Sequence, residues 1–157
     1  MLRGRSGSQL NEILPVPIEL NEGETIEAHT HNHTSHITDV LVSSYHSVES
    51  PHHQSQSYIV WQITITVNDL DFSSIKLYKR YSEIYQLYLD LKQVYGDGSA
   101  GVKVPAPPPK DIWSLERVYM SKRWLEERRK GLQWFLSSVL LDPVMQRSSV
   151  VKSFVLS

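Results

Sequence analysis

Between residues 104 and 110 the chain reads Val-Pro-Ala-Pro-Pro-Pro-Lys, and few folds can absorb such a run. Its prolines remove backbone donors and fix φ, so the segment can be neither a helix interior nor a central strand. It has to cross the molecule as extended, polyproline-like backbone. The crossing divides the chain. Strand signals dominate before it and the longest helical signal follows it, a segregation that predicts an α+β fold.

Residues 58–67, YIVWQITITV, alternate Val60, Gln62, Thr64 and Thr66 against Trp61, Ile63, Ile65 and Val67, the pattern of a half-buried strand. Asn68-Asp69 offers turn chemistry, and 74–80 (SIKLYKR) returns as another strand. A shorter strand is expected at 38–43, with 46–57 a polar loop. Short connections then imply a three-stranded antiparallel meander. Ile84, Leu87, Tyr88 and Leu91 repeat at helical spacing, with Ser82 as candidate N-cap and Gly96 as stop. A long helix is expected from about 121 to 141, and Pro143 is expected to open a last short one.

Charge is unevenly placed. Residues 1–57 hold two Arg and seven Asp/Glu, whereas 58–157 hold fourteen Lys/Arg and ten Asp/Glu. An acidic leader joined to a mildly basic domain points any anionic partner toward the second part. Residues 1–37 lack periodicity and apolar content, and read as a disordered tail preceding a domain at 38–157. One apolar island, Ile13 to Leu20, interrupts the tail and contains Pro15 and Pro17. It is either chance clutter or a docking segment. Cysteine is absent, which removes thiolate catalysis and cysteine-bound zinc. No apolar run approaches the ~18 residues that would span a bilayer.

The long helix carries an anomaly. Its stripe of Leu125, Leu132, Phe135, Leu136 and Val139 has a gap at position 128, and Arg128 fills it. An inward arginine must meet a carboxylate, snorkel to the surface or line an anion pocket. Arg80 ends a strand just before a helix start, where amides and the helix dipole already favour negative charge. An arginine there is electrostatically unhelpful unless an anion lies between, and Tyr81 is expected to set a flat ring beside its guanidinium. Lys110 follows the rigid proline run, and Ile112, Trp113 and Leu115 then make an apolar loop near these cations, suited to dip into a membrane interface.

Three strings now resemble the signatures of PX (phox-homology) domains. They are Lys79-Arg80-Tyr81-Ser82-Glu83-Ile84, the Val104 to Lys110 proline loop, and Glu127-Arg128-Arg129-Lys130-Gly131-Leu132, in the family's order. Ile84 departs from the family's usual Phe. The resemblance implies a three-stranded sheet packed on a helical part, and a phosphoinositide ligand, most often phosphatidylinositol 3-phosphate. It implies that Arg80 holds the 3-phosphate and Tyr81 stacks under the inositol. Lys110 would then reach the 1-phosphate and Arg128 the 4- and 5-hydroxyls, with Ile112, Trp113 and Leu115 in the membrane-inserting loop. Trp113, Trp124 and the Gly131 to Leu136 stretch are similar to a fungal subgroup of small PX adaptors of endosome and vacuole. That likeness implies a bridge-like lipid-transfer protein as partner, docked on Leu14, Pro15, Pro17 and Ile18, and a cytoplasmic chain held peripherally on those membranes. The alternatives are a sorting-nexin-like protein without that partner, or a non-specific binder of anionic surfaces.

Other chemistries find little support. Residues 96–101 match GxGxxG but follow a helix and precede prolines, the wrong context for a dinucleotide loop. The histidines at 29, 31, 33 and 36 sit in a polar tract without a frame for metal. No nucleophile elbow, carboxylate pair or nucleic-acid motif stands out. No enzyme activity, cofactor or nucleic-acid partner is expected.

Overall fold

The computed structural model describes residues 35–52, 57–68, 73–96, 98, 101–110 and 120–157. Three strands, β1 (His36–Glu49), β2 (Ser57–Asn68) and β3 (Ser74–Arg80), form one antiparallel sheet in the order β1-β2-β3. β3 leads without a break into α1 (Tyr81–Tyr95). After the proline crossing come α2 (Lys122–Leu140), a single 3-10 turn at Met145–Arg147, and α3 (Ser149–Leu156).

The alternation in β2 sets the packing. Trp61, Ile63 and Ile65 face inward and are buried, paired across to Tyr45, Val42 and Val40 on β1 and to Lys79, Leu77 and Ile75 on β3. The stripe of α2 closes over this face, with Leu125, Leu132, Phe135, Leu136 and Val139 all buried in the same cluster as Ile84, Leu87 and Leu91 of α1. Complete burial of a Leu or Phe side chain contributes about 1.5–3 kcal/mol, so the continuous stripe accounts for the placement of α2.

Side chains of α2 also hold the edge strand. Gln133 accepts from the Val42 N–H at 2.6 Å through Oε1 and donates to the Val40 carbonyl at 2.7 Å through Nε2. Arg129 donates to the Val42 carbonyl at 3.0 Å while pairing with Glu126 at 2.6 Å. Farther along, the Ile37 N–H donates to Gln146 at 3.1 Å.

Three details differ from the sequence reading. β1 runs to Glu49, through much of the stretch expected to be loop, because pairing with β2 continues from Tyr45↔Trp61 to Glu49↔Ser57 past a register shift between Val42 and Ser44. Backbone pairing overrides a polar sequence there. The N-cap of α1 is Arg80 rather than Ser82, since the Glu83 carboxylate accepts from the Arg80 N–H at 2.7 Å and starts the helix two residues earlier. The last helix does not start at Pro143. Asp142 Oδ1 instead accepts from the Val144 and Met145 amides at 2.9 and 2.8 Å, and Ser148 caps α3 through the Val151 N–H.

Candidate functional site

Tyr81 is the first residue of α1 and Pro108 lies in the proline crossing. The Tyr81 hydroxyl donates to the Pro108 carbonyl, which fastens the crossing to the helix start. Burial raises the Tyr81 pKa above its ordinary value and outweighs the opposing pull of Arg128, so the hydroxyl keeps its donor proton at neutral pH.

α2 approaches the same crossing at Gly131. A Cβ placed there would collide with the Pro108 ring, so only glycine lets helix and prolines meet so closely. One turn earlier stands Arg128, 7% exposed. Its guanidinium lies 4.2 Å from the Tyr81 ring centroid and 4.8 Å from the Trp124 ring centroid, held between two π faces. Among the described residues no carboxylate is within ion-pair distance of it, and its buried Nη1 has no hydrogen-bond partner. Glu127 shares with Arg128, Trp124, Pro108 and Pro109 the lining of a shallow depression of about 160 Å³. A buried, unpaired guanidinium opening on a depression is arranged to receive an anion or hydroxyls from outside.

Lys110, at the exposed end of the crossing, places its Nζ 4.6 Å from the centroid of the Tyr85 ring. Tyr85 packs on Tyr81 with centroids 5.9 Å apart. Lys110, Tyr81 and Arg128 are therefore joined through one aromatic cluster drawn from α1, the crossing and α2. Arg80 stands beside this cluster but does not use Tyr81. Its guanidinium lies 3.4 Å from the ring centroid of Tyr58 on β2. The expectation that Tyr81 would flank Arg80 is corrected here, because neighbouring residues at a strand end point to opposite sides. Arg80, Lys110 and Arg128 make no ion pair among the described residues.

Two members of this arrangement were missed from sequence, although spacing could have found them. Tyr85 is four residues after Tyr81 and Trp124 four before Arg128, in each case one helical turn. Lys79 was also missed as a core residue. It is 5% exposed, donates to the Ser157 carbonyl at 3.1 Å and lies over the Phe154 ring. Its phase with Ile75 and Leu77 put it on the inward face. Ile112, Trp113 and Leu115, like Leu14, Pro15, Pro17 and Ile18, lie outside the described residues. Among the described residues no helix is long and apolar enough to cross a membrane, and no cluster of potential metal ligands occurs.

Comparison with known proteins identifies the family. The family model for the PX domain matches residues 70–157. The chain is 47% identical over 152 residues to the endosomal/vacuolar adapter protein YPT35 of Debaryomyces hansenii, covering 97% of this chain and 92% of that one. It is 46% identical over 150 residues to the protein of the same name in Meyerozyma guilliermondii, covering 94% of each. In fold it is similar to a designed CISK-PX domain, with a TM-score of 0.60 at 22% identity over 76% of this chain and 100% of that one. The mouse SNX19 PX domain, solved with a bound sulphate ion, gives a TM-score of 0.61 at 18% identity over 78% of this chain and 97% of that one. With the family model matching more than half of the chain and two relatives near 47% identical over almost all of it, the chain belongs to the PX domain family.

Proposed function

We propose that the domain at 38–157 is a peripheral membrane adaptor module that binds a phosphoinositide, first of all phosphatidylinositol 3-phosphate, through Arg80, Tyr81, Lys110 and Arg128. The observation that carries this reading is Arg128, a guanidinium removed from water with no carboxylate partner among the described residues and with a buried Nη1 left unbonded. Its desolvation is costly in the free protein and is offset when oxygen acceptors arrive. Arg80 supplies the phosphate contact and Lys110 a second point charge, while Ile112, Trp113 and Leu115 enter the lipid interface. Anchoring of this kind is weak and reversible, which suits an adaptor whose attachment is regulated. The names of its relatives support an endosomal and vacuolar setting.

Vesicle flotation with the full chain tests the reading. Binding to vesicles containing phosphatidylinositol 3-phosphate should exceed binding to vesicles of equal charge made with phosphatidylserine. Arg80→Ala should weaken the former about tenfold or more, the worth of a charge-assisted phosphate contact. Equal binding to every anionic vesicle would leave only a basic surface and overturn the pocket.

The contact with a protein partner is assigned to the tail. Pro15 and Pro17, flanked by Leu14 and Ile18, make an apolar sequence whose composition favours extended backbone, suited to dock in a groove of a bridge-like lipid-transfer protein. Pro15→Ala with Pro17→Ala should abolish recruitment of that partner in cells and leave membrane targeting unchanged. Recruitment that survives the double substitution would place the docking motif elsewhere.

A further inference from the structure

Arg80 raises a question that the phosphoinositide reading leaves open. It is an exposed arginine at a strand end, yet a phosphate contact needs its guanidinium held in one place. Long side chains lose much rotamer freedom on being fixed, and an arginine free to wander would lose it on binding. The nearby Glu83 carboxylate accepts from the Arg80 backbone N–H, and among the described residues it makes no ion pair with the Arg80 guanidinium. What holds the side chain is Tyr58, whose ring centroid is 3.4 Å from the guanidinium carbon.

The position of Tyr58 follows from register. Val60 pairs with Arg80 on the last rung between β2 and β3, so Tyr58 lies two residues beyond β3, on the same face as Val60 and diagonal to Arg80. That face is the outer one. With His46, Val48, Val60, Tyr78 and Glu83, the pair lines an open groove of about 530 Å³. A tyrosine there is outside the core cluster. The same device recurs at the other two cations, where Tyr85 underlies Lys110 and Tyr81 with Trp124 encloses Arg128. An aromatic face orients a cation without neutralising it, as a carboxylate would.

We propose that Tyr58, on β2 and outside the stretch matched by the family model, is a positioning residue that seats the Arg80 guanidinium for an incoming phosphate. This rests on the phosphoinositide reading and adds to it a residue from the sheet. The test uses full-chain protein on vesicles containing phosphatidylinositol 3-phosphate, with phosphatidylserine vesicles of equal charge as reference. Tyr58→Leu should weaken binding to the first about two- to fivefold, and Tyr58→Phe, which keeps the ring, should bind like the wild type. In an Arg80→Ala background Tyr58→Leu should have no further effect, a coupling that a merely structural tyrosine would not show. Wild-type affinity in Tyr58→Leu, or an equal loss with and without Arg80, would overturn the seat alone. Failure of the wild-type chain to distinguish the two vesicles would sink the phosphoinositide reading, and this proposal with it.

Discussion

Arg128→Met should nearly abolish phosphoinositide binding while leaving the domain as stable as before, or more so. The two halves of that expectation have one cause. The guanidinium is buried between Tyr81 and Trp124 with an unsatisfied Nη1, so in the free protein it carries a desolvation cost that two π contacts offset only in part. Methionine fills similar space with no charge to desolvate. Replacing buried ionic groups by apolar ones of similar volume is neutral or stabilising by about 1–4 kcal/mol, and a gain near the lower end corresponds to a few degrees in Tm. Binding should fall about a hundredfold, the worth of a lost pair of charge-assisted hydrogen bonds. Thermal unfolding and vesicle flotation on the same preparation check both halves. A Tm lowered by more than about 5 °C would make the guanidinium a structural tie and remove the main support for an anion site. Arg128→Lys is the informative companion, because it keeps the charge but loses the flat group that fits between two rings.

Gly131→Ala should destabilise the domain and weaken lipid binding, although it touches none of the four proposed ligand residues. Helix propensity predicts the opposite, a gain of about 1 kcal/mol for removing a glycine from the interior of α2. Against this stands the Pro108 ring, a rigid group that the new methyl would strike. Overpacking of that kind costs about 1–3 kcal/mol, so the net effect should be a loss. The strain has a direction. Pro108 accepts the Tyr81 hydroxyl and lies two residues before Lys110, so pushing the crossing off α2 disturbs the aromatic cluster and the lysine together. Chemical denaturation with parallel vesicle binding checks this, and a variant more stable than the wild type would mean the crossing yields freely.

The parts of the fold that could be read from sequence are those where one physical requirement acts alone. Alternation in β2 and the 3.6-residue stripe of α2 are set by burial, and that strand and the long helix lie where those periods put them. Arg128 was legible for the same reason, since a charge interrupting an apolar stripe is visible without coordinates. The extension of β1 to Glu49 was not, because a largely polar stretch beyond a register shift carries no clean period and is held by its partner's backbone. Nor was the seat of Arg80. It depends on which β2 residue stands opposite the end of β3, and register comes from the assembled sheet. Tyr85 and Trp124 lie between these cases, a helical turn from residues already singled out.

The hold of α2 on β1 would have a consequence wherever many copies of the chain gather on one surface. An edge strand offers unpaired amides and carbonyls to any neighbour in an extended conformation, and such templating is how sheets grow into fibres. Here the Val40 carbonyl and both backbone groups of Val42 are already spent on Gln133 and Arg129, and the Ile37 amide on Gln146. Many copies can therefore gather on one patch of bilayer with this stretch of the sheet closed to cross-molecular zippering.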